Sequence, residues 1–391
     1  GRALRVGEEV SPASAGTQLQ LSIDKRIQYI THQVLQETMD EFRAESVSAV
    51  MVDIKTGEIL AMVSLPAGNP NVSAERRAEL LKNRSVTDTF EPGSTMKPLA
   101  VAAALDAGVI TPKTSFRTSG TYQMGRYTVR DTHNYGTQDT VGVIRKSSNV
   151  GMAMISERMP RKKYRDFMTA LGFGQPTGIG FPGEQRGHFP RTEKISAFDY
   201  ATTFYGYGVS TSALQLAHAY ATVANDGVEV PLSLLKVDEP PEGKRVMSEK
   251  TARAVQKMLE AVVGDGGTGR RANTESYTVA GKTGTSHKVR KGGGYAEKNY
   301  RGIFAGYAPA HDPRIAMVVV VDDPKGSEYY GGLVAAPPFS KIADWSLKML
   351  GVLPDKIAKS GEIGLVADAA LFEDNDSVGA PPHETPAEET E

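Results

Sequence analysis

The sequence predicts an α/β protein of the α+β type, in which one antiparallel sheet is built from both ends of the chain around an inserted helical region. Two apolar strands flank a tight turn early in the chain, in "VSAVMVDIKTGEILAMVSL". A helix-rich stretch with Gly- and Pro-containing loops follows, from about residue 70 to 270. Three strands then return, in "YTVAGKTGT", "RGIFAGYAP" and "RIAMVVVVDD". Because the strands lie at both ends of the chain and the helices between them, we expect a single sheet built from both ends.

The individual helices follow from apolar spacing. Residues 24–43 place Ile27, Ile30, Val34 and Leu35 on one face, with Asp24 as a plausible cap. The turn of the early hairpin is predicted at residues 55–58. In the middle region the clearest helices are residues 97–106, "SSNVGMAMISERM", "ALQLAHAYATVAND" and "EKTARAVQKMLEAVV". A last amphipathic helix is predicted in "FSKIADWSLKML".

The composition excludes several classes of function. The chain of 391 residues has a net charge of −1 and no stripe of Lys and Arg interleaved with aromatic residues, so nucleic acid is not an expected partner. It has no cysteine, which removes thiol nucleophiles, disulfides and thiolate metal sites. "GDGGTG" follows a helix rather than a strand, and "GKT" lacks the upstream glycine of a P-loop. We therefore expect neither a metal nor a cofactor.

The ends of the chain suggest that it is a piece of a longer protein. It starts with "GRALRVGEEV", which lacks an initial Met and has no apolar signal-peptide segment. It also has no apolar run of membrane-spanning length. The last residues are acidic and contain Pro, so a disordered tail is expected there.

The first candidate for chemistry is "FEPGSTMKP", in which Ser94 precedes Lys97 by one helical turn. Residues i and i+3 share a helix face, so the two side chains can meet. A serine hydroxyl becomes a nucleophile when a base takes its proton, and a lysine can be that base if burial lowers its pKa. Pro98 is tolerated only in the first turn, which places Ser94 near the helix start. Taken alone, the pattern is equally consistent with a cap serine beside a surface lysine.

Two further motifs carry side chains suited to the same chemistry. In "RKSSNVGM", Ser147 and Asn149 could supply a relay hydroxyl and an amide for a substrate, although a helix N-cap is the simpler interpretation. In "VAGKTGTSH", Lys282 and the hydroxyls of Thr283 and Thr285 could hold a carboxylate. Gly284 has no side chain and would let a ligand backbone lie against this strand.

Together the motifs form an ordered set. Ser-x-x-Lys, then Ser-x-Asn, then Lys-Thr-Gly is the triplet of the penicillin-recognising serine acyltransferases. With "RDTHNYG", "GFPGE", "GYGVSTSALQLAHAYATVANDG", "GGTG" and "YYGGLVAAPPFSKI", the chain resembles the transpeptidase domain of the class B penicillin-binding proteins. It is most similar to their division-specific members from Gram-negative bacteria. The resemblance covers residues 17–353 and implies a five-stranded antiparallel sheet flanked by helices.

The resemblance also implies a mechanism and site residues. Ser94 would attack the penultimate D-Ala of a peptidoglycan stem peptide, with Lys97 as base, Ser147 as proton relay and Lys282 keeping Lys97 neutral by like-charge repulsion. Asn149 would bind the donor amide. Thr283 and Thr285 would bind its carboxylate, and the N–H groups of Ser94 and Thr285 would form the oxyanion hole. β-Lactams would block Ser94. Tyr329 and Tyr330 would line an apolar wall, or be ordinary sheet-edge aromatics.

The family's other parts set further expectations. Residues 1–16 would be the junction to a missing N-terminal domain, and residues 354–391 a tail. The resemblance implies a location on the periplasmic side of the bacterial inner membrane, through an N-terminal anchor outside this chain. Partners would be stem peptides, β-lactams, division-machinery proteins and a glycosyltransferase that polymerises lipid II.

Three rival functions stay open at this point. A serine β-lactamase would need a glutamate that activates a deacylating water, and Glu184 in "GFPGEQRG" is the candidate. A DD-carboxypeptidase would hydrolyse the acyl-enzyme instead of transferring it. A β-lactam sensor would be acylated without turning over a peptide donor.

Overall fold

The computed structural model describes residues 15–289 and 294–356. Apart from residues 15–16 and 354–356, the expected junction (1–16) and tail (354–391) lie outside these residues, so both stay predictions. The first part of the described chain contains α1 (Lys25–Phe42), β1 (Ser46–Asp53), β2 (Ile59–Leu65), α2 (Ala78–Leu81), α3 (Arg84–Thr87) and α4 (Lys97–Asp106). The middle part contains β3 (Ser115–Thr118), β4 (Thr121–Met124), β5 (Tyr127–Arg130), β6 (Gly136–Asp139), α5 (Thr140–Arg145), α6 (Asn149–Arg158), α7 (Arg161–Ala170), α8 (Ala197–Thr203), α9 (Ala213–Ala224), β7 (Val228–Glu229), β8 (Lys244–Arg245) and α10 (Glu249–Val263). The last part contains β9 (Ala280–Val289), β10 (Tyr295–Ala308), β11 (Ile315–Asp322), α11 (Gly331–Val334) and α12 (Ala336–Met349).

The main sheet has five strands in the order β2-β1-β11-β10-β9, and every neighbouring pair is antiparallel. Strands from the start and the end of the chain meet where β1 pairs with β11, from Ser46 opposite Asp322 to Asp53 opposite Ile315. The predicted α+β class and the five-stranded antiparallel sheet built from both ends are therefore confirmed. All eight residues of β1 are buried, because helices cover both faces of the sheet.

Alternate residues of the central strands lie in two hydrophobic cores, one on each face of the sheet. On one face Val319 and Val321 of β11 pack with residues of α1 and α12 such as Ile27 and Phe339. On the other face Val318 and Val320 lie in the core that contains the buried helices α4 and α9. Helix α9 is buried along its whole length, and α4 along all but its last two residues. This second core supports the helix that begins with Lys97.

The two edges of the sheet differ. At β2, Gln28 of α1 pairs with the backbone of Met62 through both its amide oxygen and its amide nitrogen, which occupies the edge. Such side-chain pairing protects an edge strand from adding another strand. At the opposite edge, β9 lies against the turn that carries Ser94. The Lys282–Thr285 segment is therefore at the sheet edge nearest to Ser94.

The middle region contains β-structure that the sequence did not predict. Short antiparallel pairs form between β3 and β6, β4 and β5, and β7 and β8. These strands have only two to four residues and are partly exposed, so no long alternating apolar pattern marks them. Strands β3, β4 and β5 pack against α6, whereas β6 packs against α5 and β7 against α9.

Candidate active site

Ser94 lies in a 3₁₀ turn, Gly93–Met96, that leads directly into α4 at Lys97. The Lys97 N–H donates to the Ser94 carbonyl three residues back, and Pro98 follows in the first turn of α4. Ser94 is half-buried, whereas Thr95 and Lys97 are fully buried. This is the position near a helix start that Pro98 indicated in the sequence.

Hydrogen bonds from buried side chains hold the turn of residues 92–96, called here the Ser94 turn. The hydroxyl of Tyr220 in α9 donates to the carbonyl oxygen of Thr95 at 2.8 Å, and both residues are fully buried. The Thr95 hydroxyl donates to the carbonyl oxygen of Pro92 at 2.7 Å. A buried carbonyl without a partner is costly, so these bonds favour one geometry of the turn.

Two glycines allow other segments to approach the Ser94 turn. A Cβ on Gly206 would lie 2.1 Å from the carbonyl oxygen of Gly93, and Gly206 itself has a φ of +84°. A Cβ on Gly284 would lie 2.9 Å from both Pro92 O and Thr95 Cγ2. The structural reason for Gly284 thus differs from the one expected, because the space of its missing side chain is filled by the Ser94 turn. Contact between Gly284 and a substrate stays a prediction.

The side chains of Lys97 and Lys282 converge on Ser147. Lys97 Nζ donates to the Ser147 hydroxyl at 3.1 Å and to its carbonyl oxygen at 2.5 Å. Lys282 Nζ donates to the same hydroxyl at 3.0 Å and to the carbonyl oxygen of Thr283 at 3.1 Å. Both lysines have no exposed surface. One residue from each of the three motifs therefore meets at a single hydroxyl.

Burial disfavours the charged form of both lysines. It lowers the pKa of Lys97 to about 7, against the opposing effect of the Asp131 carboxylate. It also lowers the pKa of Lys282 well below its usual value, and the positive charge of Lys97 lowers it further. Burial is thus the main reason that Lys97 can be neutral near pH 7, and the like-charge repulsion expected between the two lysines acts on Lys282.

The loop before α6 differs in detail from the simple cap interpretation. The N-cap is Ser148, whose hydroxyl accepts from the N–H of Gly151 at 2.9 Å, and not Ser147 or Asn149. Ser147 has a φ of +59°, in the left-handed region that non-glycine residues rarely adopt. The Asn149 side chain is partly exposed, and its amide donates to the carbonyl oxygen of Arg130 at 3.2 Å.

The hydroxyls of β9 have partners that the sequence did not identify. The hydroxyls of Thr283 and Thr268, in the loop after α10, are 2.8 Å apart. The Thr285 hydroxyl accepts from the N–H of Gly331 at 3.1 Å. The Thr285 carbonyl oxygen lies 3.1 Å from where a Cβ on Gly93 would be, on the free edge of β9. Because the N–H and C=O of one strand residue point the same way, the Thr285 N–H is also directed toward this edge.

Four aromatic side chains form a stack beside Thr285. The rings of Tyr300 and Tyr329 stack with centroids 4.0 Å apart, and those of Tyr329 and Tyr330 with centroids 4.5 Å apart. His287 of β9 lies against Tyr300 at 4.6 Å. Tyr330 is 39% exposed, so the outer end of the stack is open to a ligand. The role of Tyr329 and Tyr330 as an apolar wall for a ligand, rather than as ordinary sheet-edge aromatics, stays a prediction.

Glu184, the candidate base of a β-lactamase, and His287, which follows the third motif, both have partners of their own. The Glu184 carboxylate accepts from both the N–H and the hydroxyl of Thr177, so it holds its own loop. His287 belongs to the aromatic stack. Among residues 15–289 and 294–356, no cluster of three or more His, Cys, Asp or Glu could hold a metal.

Comparisons with known proteins agree with the motifs. Residues 47–344 match the family described as "Penicillin binding protein transpeptidase domain". The chain is 40% identical over 355 residues to "Peptidoglycan D,D-transpeptidase FtsI" of Escherichia coli K12, covering 90% of this chain and 60% of that protein. It is 40% identical over 341 residues to "Probable peptidoglycan D,D-transpeptidase PenA" of Neisseria flavescens, covering 87% of this chain and 85% of that protein.

A solved structure gives the same result for the fold. The transpeptidase domain of Burkholderia pseudomallei penicillin-binding protein 3 superimposes with a TM-score of 0.80 at 39% identity, covering 88% of this chain and all of that one. The resemblance stated from the motifs is thereby confirmed. The chain spans 60% of the length of its E. coli relative.

Proposed function

Because this chain belongs to the family of penicillin-binding protein transpeptidase domains, we propose that it is a peptidoglycan D,D-transpeptidase acting through an acyl-enzyme on Ser94. The observation that carries the proposal is the convergence of Lys97 and Lys282 on the Ser147 hydroxyl, since Lys97 follows Ser94 by one helical turn. A serine needs a nearby base, and Lys97 is a buried amine whose pKa of about 7 suits that task.

In this proposal the first half-reaction acylates the enzyme. Neutral Lys97 takes the hydroxyl proton of Ser94, and the Ser94 oxygen attacks the carbonyl carbon of the penultimate D-Ala. The developing oxyanion accepts hydrogen bonds from the N–H groups of Ser94 and Thr285, each worth roughly 3 kcal/mol. The proton passes through Ser147 to the leaving nitrogen, the C–N bond breaks, and the terminal D-Ala departs.

The second half-reaction restores the enzyme. An amine from a neighbouring stem peptide attacks the acyl carbon and loses a proton to Lys97. The ester bond to Ser94 breaks, and Ser94 regains a proton. The product is a cross-link between two peptides. A β-lactam enters the same first step, but its opened ring stays attached to Ser94.

The substrate is held along the free edge of β9. Thr283 and Thr285 take the terminal carboxylate, and Asn149 takes the donor amide. The hydroxyls of Thr283 and Thr268 support this assignment, because one donates to the other and the remaining hydroxyl hydrogen can be donated to a carboxylate oxygen. Tyr329 and Tyr330 provide an apolar surface for the acceptor or for the side chain of a drug.

The cellular setting is also part of the proposal. The E. coli relative is named FtsI, which favours a role in septal cross-linking at the periplasmic face of the inner membrane. No helix in the described ranges has the length and apolar character to cross a membrane. Contacts with division proteins and a lipid II-polymerising glycosyltransferase would be made mainly by parts outside this chain.

A serine β-lactamase is less well supported, since Oε1 of the Glu184 carboxylate accepts from both the N–H and the hydroxyl of Thr177, which ties Glu184 to its own loop. A DD-carboxypeptidase and a β-lactam sensor are separated from a transpeptidase by experiment.

The test supplies a pentapeptide ending in D-Ala-D-Ala, with and without an amine acceptor. Release of D-Ala with a cross-linked product supports transpeptidation. D-Ala release without transfer indicates a carboxypeptidase, and acylation by penicillin without any D-Ala release indicates a sensor.

A further inference from the structure

The Asp131 carboxylate lies outside the three motifs yet binds the loop of one of them. Its Oδ2 accepts from the Ser148 hydroxyl at 2.5 Å. Its Oδ1 accepts from the N–H of Asn149 at 2.5 Å and from the N–H of Val150 at 3.0 Å. Both oxygens are therefore used on consecutive residues at the start of α6, where a negative charge also complements the helix dipole.

The loop held in this way contains a strained residue. Ser147 has a φ of +59°, a conformation that costs a non-glycine residue free energy and persists only where its surroundings impose it. On the α5 side, the N–H groups of Ser147 and Ser148 donate to the carbonyls of Ile144 and Val143. On the other side, the loop is held by Asp131. Without Asp131 the loop would lose the contacts that fix the residues directly after Ser147.

Asp131 also acts on the lysines through its charge. Its carboxylate raises the pKa of Lys97, opposing the effect of burial. The charged groups that face Lys97 are thus Asp131, from the segment after β5, and Lys282, from β9. The Asp131 carboxylate favours the protonated form of Lys97, so its loss should lower the pH at which Lys97 becomes neutral.

We propose that Asp131 is a positioning residue for acylation, holding residues 147–149 so that the Ser147 hydroxyl stays between Lys97 and Lys282 while its negative charge sets the pH range of the reaction. The inference rests on the proposed function. It assigns to Asp131 two separable effects, one of geometry and one of charge.

Two variants separate these effects. Asp131→Ala removes both, whereas Asp131→Asn keeps an oxygen that can accept from the N–H groups of Asn149 and Val150. The matched control is Asp24→Ala, which removes an aspartate N-cap at α1, a helix of the other core. The second-order rate of acylation by benzylpenicillin is measured by intact mass between pH 5.5 and 9, together with the melting temperature.

We expect Asp131→Ala to slow acylation about 100-fold, the effect of misplacing a reacting group by roughly 1 Å. Asp131→Asn should keep most of the maximal rate, but its rate should rise at a lower pH than that of the wild type. Asp24→Ala should lower the melting temperature and leave acylation unchanged.

If Asp131→Ala is acylated at the wild-type rate, the geometric role of Asp131 is overturned. If the pH profile of Asp131→Asn matches that of the wild type, the role of the Asp131 charge is overturned. Failure of the wild-type protein itself to be acylated would overturn the proposed function, and this inference with it.

Discussion

Lys97 and Lys282 donate hydrogen bonds to the same hydroxyl, that of Ser147, at 3.1 and 3.0 Å. Two buried lysines so close to one acceptor cannot both be charged without a large electrostatic cost. The pair therefore favours a state in which at least one amine is neutral, and a neutral lysine is a base.

The first prediction concerns the pH dependence of acylation. A base must be neutral, so the rate should rise with pH through the pKa of Lys97, about 7. At pH 6 only about one tenth of Lys97 would be neutral. Burial is the main cause of the lowered pKa of Lys97, so Lys282→Met should lower the rate and leave the rise near the same pH. The measurement is the acylation rate by a fluorescent penicillin from pH 5.5 to 9. A flat profile would rule out Lys97 as the base.

The second prediction concerns Gly284. In Gly284→Ala the new Cβ would lie 2.9 Å from Pro92 O and Thr95 Cγ2, so the Ser94 turn must move. We expect a loss of about 1–3 kcal/mol in the free energy of unfolding, together with slower acylation. Urea denaturation and penicillin labelling measure the two effects.

The control for this variant is Gly264→Ala. Gly264 has a negative φ, and the nearest atom to its Cβ would be 3.5 Å away. This variant should keep both stability and acylation. Normal acylation in Gly284→Ala would show that the close approach of β9 does not constrain the Ser94 turn.

The third prediction concerns the hydrogen bond that the Tyr220 hydroxyl donates to the Ser94 turn. Tyr220→Phe leaves the buried carbonyl of Thr95 without its donor, which should cost about 1–3 kcal/mol of stability and slow acylation. Tyr277→Phe, in the other core, removes a similar bond to the carbonyl of Val352. It should cost similar stability without slowing acylation. Equal acylation rates in the two variants would contradict the specific role of Tyr220.

The fourth prediction concerns the aromatic stack. Tyr330→Ala removes the exposed end of the stack while Tyr300 and Tyr329 keep their contact. We expect weaker binding of β-lactams with a bulky apolar side chain and little change for those with a small one. The apparent dissociation constants before acylation provide the comparison. An equal effect on both drug classes would favour a purely structural role for Tyr330.

Much of this site could be predicted because its parts carry local signals. Pro98 placed Ser94 at a helix start, and the strand pattern placed Lys282 on β9, so each motif was located before its neighbours were known. The contacts between motifs could not be predicted, since they depend on how the sheet edge meets α4 and α6. The burial of both lysines, and hence the pKa of Lys97, follows from that packing alone.

The contacts that the sequence did not reveal join residues far apart in the chain. Asp131 and Thr268 stand 17 and 15 residues from their hydrogen-bond partners Ser148 and Thr283, and no periodicity links them. The packing of residues 92–95 against Gly284 could not be predicted for the same reason, because these residues lie far from Gly284 in the chain. The short strands β3 to β6 lack a pattern long enough to be read from sequence.

The most direct test of the account is intact mass spectrometry of the protein mixed with benzylpenicillin, beside Ser94→Ala. The account predicts an increase of one whole penicillin that lasts for hours, maps to the peptide containing Ser94 and is absent from the variant. An adduct that vanishes within seconds while penicillin is consumed would indicate a β-lactamase. An adduct of the same size on Ser94→Ala would contradict the assignment of Ser94 as the nucleophile.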